Sequence, residues 1–68
     1  MNPRDQIVVF IEDYWRANGY APSVREICDD VGLSISTVHS HLSTLKKQGR
    51  IQWVPKIPRT IRLVADAG

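Results

Sequence analysis

A chain of 68 residues with a formal net charge of +2 has room for one small folded domain and none for a separate catalytic domain, and its composition, 43% hydrophobic and 24% charged, is that of a globular protein. The longest apolar run, residues 7–11, is far shorter than the ~20 residues that span a bilayer, and no signal-peptide pattern precedes it, so we expect a cytoplasmic protein without a membrane partner. The single cysteine, Cys28, excludes an internal disulfide and is expected to be a small buried hydrophobic residue.

The charged residues are divided unevenly along the chain. Residues 1–33 carry three arginines and six carboxylates, whereas residues 34–64 carry six basic residues and no carboxylate. This favours a polyanionic partner, because each Lys or Arg that neutralises a phosphate releases a condensed counterion. A basic surface that merely faces water is the alternative, and charge alone does not separate the two. The six basic residues are Lys46, Lys47, Arg50, Lys56, Arg59 and Arg62.

The first half of the chain has the spacing of two helices. Asn2 before Pro3 indicates a helix start, and the Asn-Gly pair at 18–19 indicates its end. Residues 23–26, Ser-Val-Arg-Glu, match a capping box and predict the start of a second helix, which Gly32 ends. The apolar stripes are Ile7, Phe10, Ile11 and Tyr14 in the first helix and Val24, Ile27, Cys28 and Val31 in the second.

A third helix is predicted around residues 35–48. Either Ser34 or Ser36 is suited to be its N-cap, and Gly49 follows its end. The residues expected to face the core, at i, i+4 and i+7, are Val38, Leu42 and Leu45.

The period of the pattern changes after the third helix. Residues 50–54 and 60–64 alternate apolar with polar side chains and are rich in β-branched and aromatic residues, which predicts two strands. The connector at 55–59, called the wing from here on, contains two prolines and two basic residues, so we expect a hairpin with a basic tip. Residues 65–68 show no pattern and are predicted to be a tail or the start of a linker, which places the domain at residues 1–64.

These elements predict a mainly α fold with a small β-hairpin, a three-helix winged helix-turn-helix. Opposite Val38, the third helix carries hydroxyls where a solvent-facing helix usually carries Glu and Lys. Short hydroxyl side chains let a helix lie deep in the ~12 Å major groove and hydrogen-bond to base edges, so we expect double-stranded DNA as the partner. The predicted base contacts are Ser36, Thr37, His39 and Ser40, and the predicted contacts to the DNA backbone or minor groove are Ser34, Lys47, Lys56 and Arg59.

Several segments also resemble a known family. They are 19–27 (GYAPSVREI), 31–33 (VGL), 36–42 (STVHSHL), 45–49 (LKKQG) and 58–61 (PRTI), and they are distributed over residues 19–61. The sequence is similar to the N-terminal DNA-binding domain of the LexA family of SOS-response repressors. This resemblance implies a winged helix that binds a palindromic operator as a dimer and represses transcription. The residues it implies to face the operator are Ser34, Ser36, Thr37, His39 and Ser40.

Two departures from the family pattern limit what the resemblance implies. The turn from Gly32 to Ser36 is slightly shorter than the family's, which bears on how the third helix enters the groove. The family's C-terminal domain, with its Ser/Lys self-cleavage dyad and most of the dimer contacts, has no counterpart in these residues, so we expect no enzymatic activity. His39 and His41 point about 200° apart on one helix, and we expect no metal, cofactor or small-molecule ligand.

A protein docking module is the alternative function, because winged helices also serve as docking domains. Its support is the number of apolar residues outside the helix stripes. We expect that Trp15 and Trp53 complete the core beneath the hairpin, and the absence of carboxylates from residues 34–64 favours DNA over a protein partner. The other apolar residues that a small core has difficulty burying are Val8, Ile35 and Ile57.

Overall fold

The computed structural model describes residues 2–64, and its first helix, α1, spans Pro3–Asn18. The side chain of Asn2 accepts a hydrogen bond from the Asp5 amide at 2.9 Å, which satisfies one of the free amides of the first turn. Gly19 ends the helix in the left-handed conformation, with φ of 77°. Both predicted ends of α1 are confirmed.

The second and third helices are α2, Val24–Val31, and α3, Ile35–Lys47. The predicted capping box of α2 forms in both directions, because the Glu26 amide donates to the Ser23 hydroxyl and the Ser23 amide donates to the Glu26 carboxylate. Of the two candidate caps of α3, Ser34 is the N-cap, since its hydroxyl accepts from the Thr37 amide at 3.3 Å.

The hairpin consists of two short antiparallel strands, β1 at Ile51–Gln52 and β2 at Arg62–Leu63. Ile51 lies opposite Leu63, and Gln52 lies opposite Arg62. Both strands lie where the alternation predicts them but are shorter than the predicted 50–54 and 60–64. The ladder stops early because the Thr60 hydroxyl takes the place of a strand partner: it accepts from the Val54 amide and lies 3.0 Å from the Val54 carbonyl.

The core lies between the three helices and the hairpin. Every residue expected on the buried side of α3 is buried, and so is Trp53. The expectation for Trp15 is wrong: its side chain is 46% exposed, along a shallow groove between α1 and β2, and the two-residue strand is too short to cover it. Val8 packs partly buried against the core. The buried core residues are Ile7, Ile11, Ile27, Cys28, Val38, Leu42, Leu45, Ile51, Trp53 and Ile61.

The observed architecture is the predicted winged helix-turn-helix: three helices, with a two-stranded hairpin after the third. The tail predicted at residues 65–68 lies outside the described residues, and the domain boundary at residue 64 stays a prediction. Among residues 2–64, none of the helices combines the length and apolar character needed to span a bilayer.

Candidate nucleic-acid interface

The face of α3 that points away from the core carries exposed hydroxyl groups. Burial of Val38 and Leu42 on one side of α3 turns Ser36 and Ser40 to the opposite side, where both are exposed. Within residues 2–64 the hydroxyls of these two serines form no hydrogen bond to the rest of the protein. Each hydroxyl therefore has a donor and an acceptor free for a partner.

Ser34 and Thr37 lie at the N-terminal end of the same face. Besides the cap made by the Thr37 amide, the two side-chain oxygens share a hydrogen bond of 2.9 Å. Both residues are exposed. The cap thus fixes the positions of two hydroxyls at the helix end whose partial positive charge favours anions such as phosphate.

His39 lies on the flank of α3 that faces the hairpin. Its ring packs edge-to-face on Trp53, with the ring centroids 5.1 Å apart and the planes at 89°. The residue is partly buried as a result. His39 is therefore held beside the wing, away from the exposed serines in the centre of the face, and the sequence reasoning missed this contact with Trp53.

The basic residues of the C-terminal half differ in how they are partnered. Arg50 lies 3.6 Å from Asp5, and Arg59 lies 2.9 Å from Glu26. Lys47, in the last turn of α3, and Lys56, in the wing, are exposed and form no ion pair within the described part of the chain. The same holds for Lys46 and Arg62.

The Arg59 side chain turns toward the helices. Its guanidinium Nη1 lies 2.9 Å from Glu26 Oε1, 3.0 Å from the Ala21 carbonyl oxygen and 3.3 Å from the Tyr14 hydroxyl. The guanidinium carbon also lies 5.0 Å from the centre of the Tyr20 ring, a cation–π distance. This set of contacts is called the Arg59 network below, and the sequence pattern gave no sign of it.

Glu26 is the anion at the centre of the Arg59 network. Its carboxylate accepts hydrogen bonds from the Ser23 amide and the Tyr14 hydroxyl, both at 2.8 Å, and Arg59 lies beside it. These hydrogen bonds, with the smaller effect of the Arg59 charge, lower the pKa of Glu26 to about 2. Hydrogen bonding to the same carboxylate raises the pKa of Tyr14. At neutral pH the network therefore holds an ionised carboxylate against an ionised guanidinium.

Two exposed apolar residues border the hydroxyl face. Ile35, at the start of α3, is 53% exposed, and Ile57, in the wing, is 55% exposed. Both line the groove between α3 and the wing, together with His39 and Trp53. The sequence indicated that a small core has difficulty burying both residues, and the structure agrees: Ile35 lies in the first turn of α3, before the part of the helix that packs on the core. Among residues 2–64 no group of His, Cys, Asp and Glu is arranged to hold a metal ion.

The sequence matches known proteins along most of its length. A profile of the LexA DNA binding domain matches residues 3–60. The chain is similar to the LexA repressor of Carboxydothermus hydrogenoformans, with 50% identity over 62 residues that cover 90% of this chain and 30% of the repressor. It is similar to the LexA repressors of Clostridium acetobutylicum (52% over 64 residues; 93% of this chain, 31% of the repressor) and Brevibacillus brevis (48% over 68 residues; 97% and 33%). The chain thus spans about a third of the length of the curated relatives it matches.

Proposed function

Since this chain belongs to the LexA DNA-binding domain family, we propose that it is the part of a transcriptional repressor that binds double-stranded DNA and recognises its sequence. The observation that supports this most is the exposed face of α3, where the hydroxyls of Ser36 and Ser40 have no partner within residues 2–64, in a segment, residues 34–64, without carboxylates. A repressor works at the nucleoid, so the proposal includes a cytoplasmic location. The family match covers the DNA-binding part of the relatives only, and we assign no catalytic role to these residues.

In the proposed complex, α3 lies in the major groove. Ser36, Thr37 and Ser40 contact base edges, because hydroxyls both donate to and accept from the groups that bases present there. His39 contacts a base or phosphate from the flank beside the wing. The groups assigned to the DNA backbone are Ser34 at the α3 N-terminus, Lys47 at its C-terminus and Lys56 in the wing.

The proposal extends to a palindromic operator and to a dimer on DNA. A single module of this size buries only ~600–1,000 Å² of its surface on DNA, which gives weak binding and short recognition. Two copies on two half-sites raise both the affinity and the number of base pairs recognised.

Selection of binding sequences from a random pool of duplex DNA tests the proposal, followed by titration of the selected duplex at several salt concentrations. We expect enrichment of a palindromic motif, with log K falling against log salt by about 0.9 for each phosphate neutralised. Random duplex of equal length is the control, and it should bind more weakly with a similar salt slope. Absence of both a motif and a salt slope would contradict DNA binding and favour the docking module.

A further inference from the structure

The backbone at Arg59 is unusual for a residue with a side chain. Its φ is 59°, in the left-handed region, and within residues 2–64 it is the one residue other than glycine with a positive φ. This conformation is unfavourable for a residue with a Cβ atom, because the Cβ lies too close to the following carbonyl oxygen. Such a backbone conformation persists only where surrounding contacts hold the residue, which indicates that the contacts of Arg59 fix its position.

Those contacts join distant parts of the chain. From the end of the wing, the guanidinium reaches Tyr14 in α1, the carbonyl of Ala21 in the connector and Glu26 in the first turn of α2. These partners precede Arg59 by 45, 38 and 33 residues. The same Glu26 carboxylate closes the capping box of α2 with Ser23. One side chain therefore ties the wing to the N-terminal end of the helix-turn-helix.

We propose that Arg59 is a positioning residue, which holds the wing against the capping box of α2 through Glu26 and thereby places Lys56 for contact with a DNA phosphate. The inference rests on the proposed function, since the wing needs a fixed position only if a partner is bound there. It replaces the prediction that Arg59 itself contacts the DNA backbone or minor groove.

The two basic residues of the wing support this division of roles. Lys56 is exposed and free of ion pairs within the described chain, so its ammonium can reach a phosphate at no structural cost. The Nη1 of Arg59 already bonds to the Glu26 carboxylate and the Ala21 carbonyl, and its guanidinium lies against the Tyr20 ring, so carrying the guanidinium away from the helices to a phosphate would break these contacts and leave Glu26 without its counter-charge.

The substitution Glu26→Gln separates the two roles by the sign of its effect. Gln keeps the capping box but removes the charge that holds Arg59. If Arg59 positions the wing, operator binding weakens about fivefold at 0.15 M salt, the value of one lost phosphate contact. If Arg59 contacts DNA itself, the same change frees its guanidinium and removes a negative charge, so binding stays equal or tightens. Glu12→Gln is the matched control, since it removes an exposed carboxylate that pairs with Arg16, and we expect no loss of affinity.

Amide hydrogen exchange in the free protein gives a readout that does not depend on DNA. The Val54 amide donates to Thr60, and the Ile57 amide donates to the Val54 carbonyl, so both report on the order of the wing. We expect Glu26→Gln to speed exchange at both amides at least several-fold, with the amides of α3 unchanged. Arg59→Gly should do the same, because glycine accepts the left-handed backbone and only the side-chain contacts are lost.

Four outcomes of these experiments test the positioning role of Arg59 and the proposed function. Faster exchange in the wing together with weaker operator binding would support the positioning role. Unchanged exchange in both variants would overturn it, and so would faster exchange with undiminished affinity. A wild-type protein that shows no salt-dependent binding to duplex DNA would overturn the proposed function, and exchange in the wing would still show whether Glu26 and Arg59 order it.

Discussion

The two halves of the molecule use their polar side chains in different ways. In residues 2–33, the polar groups of Asn2, Tyr14 and Glu26 all form hydrogen bonds that shape the helices or join them. In residues 34–64, the hydroxyls of α3 and the lysines point outward, and most have no partner within the described chain. Both halves supply core residues, and the second, called the unpartnered half for its free hydroxyls and lysines, also carries the groups that we propose to face DNA.

Arg59 is an exception to this difference between the two halves. By sequence it belongs to the basic, C-terminal half, and composition alone assigns it to the DNA surface. By its contacts it belongs to the N-terminal half, because Glu26 and Tyr14 hold its guanidinium. We propose that whether a cation is free or partnered indicates its role better than its position in the chain does.

The largest effect is expected where the two halves meet in the core. Leu42 is fully buried on the inner side of α3, so Leu42→Ala removes packing against both the N-terminal helices and the rest of the core. We expect a loss of about 2–5 kcal/mol in the free energy of unfolding, measured by urea denaturation followed by circular dichroism. This is much of the stability that so small a domain has.

Ser43→Ala is the matched control for this change, since it alters the next residue of α3 on the exposed side. Its effect on unfolding should stay within about 0.5 kcal/mol. Equal losses from the two substitutions would show that the outward face of α3 also carries stability, and the comparison between the halves would fail.

A smaller effect on stability is expected at acidic pH, where the Glu26 carboxylate of the Arg59 network takes up a proton. The pKa of Glu26 is lowered from 4.5 to about 2, so its ionised form stabilises the fold above about pH 4.5 and this contribution is lost as the pH falls toward 2. Allowing for the partial exposure of this carboxylate, the contribution is about 1 kcal/mol, or roughly 4–8 °C in the melting temperature. Since other carboxylates titrate as well, the quantity to measure is the difference between the wild type and Glu26→Gln in thermal melts at pH 6 and pH 2.5.

This difference should be clear at pH 6 and much smaller at pH 2.5, because the Glu26 carboxyl of the unfolded chain is already protonated there and that of the folded protein is beginning to be. A difference that stays constant across the two pH values would mean that the Glu26 charge does not stabilise the fold. The Arg59 network would then contribute to the geometry of the wing alone.

The parts of the fold that were predictable from the sequence are those that local chemistry decides. The side chains of Asn2 and Ser23 bond to amides three residues away, and Gly32 needs only its own freedom to adopt a φ of 72°. Helix spacing identified the core stripes for the same reason, because residues at i and i+4 share a face whatever the rest of the chain does. These predictions depend on neighbours within a few residues.

The wrong or missing predictions all depend on distant residues. Trp15 was expected beneath the hairpin but is half exposed, because the sequence of α1 does not show where the hairpin packs against it. The Arg59 network joins residues up to 45 positions apart, and the pairing of His39 with Trp53 joins α3 to the hairpin. Such contacts follow from the packing of elements against each other, which the pattern of one element does not contain.

Substitution of a basic residue in the wing tests whether the C-terminal half faces DNA. We expect a moderate effect on affinity. Lys56→Ala should weaken binding to operator and random duplex alike, by about fivefold at 0.15 M salt, and lower the slope of log K against log salt by about 0.9. Fluorescence anisotropy with labelled duplexes at several salt concentrations measures both quantities.

Arg16→Ala is the control for this prediction, because it also removes one positive charge but from α1, where the residue pairs with Glu12. We expect the salt slope to stay within error of the wild type. A fall in slope of the same size would indicate that the net charge of the domain, and not the position of Lys56, determines affinity.

Single hydroxyls on α3 are expected to change base preference at single positions and to leave overall affinity for DNA nearly unchanged. Ser40→Ala should change the preferred base at one or two positions of the operator, by about 1 kcal/mol or roughly fivefold each, with binding to random duplex unaffected. Selection from a duplex library randomised at single positions measures this directly. Ser43→Ala, one turn later on an exposed part of the same helix, is the comparison.

The two serine variants together determine how α3 enters the groove. Helix-turn-helix domains insert the N-terminal part of the second helix, so Ser40→Ala should alter base preference and Ser43→Ala should not. If both change the preference equally, α3 lies along the floor of the groove. Equal losses from Ser40→Ala on operator and random duplex would show that this hydroxyl contacts phosphate. The unpartnered half of the molecule would then bind DNA without recognising its sequence through this helix, and base recognition would have to come from Ser36 and Thr37 or from the wing.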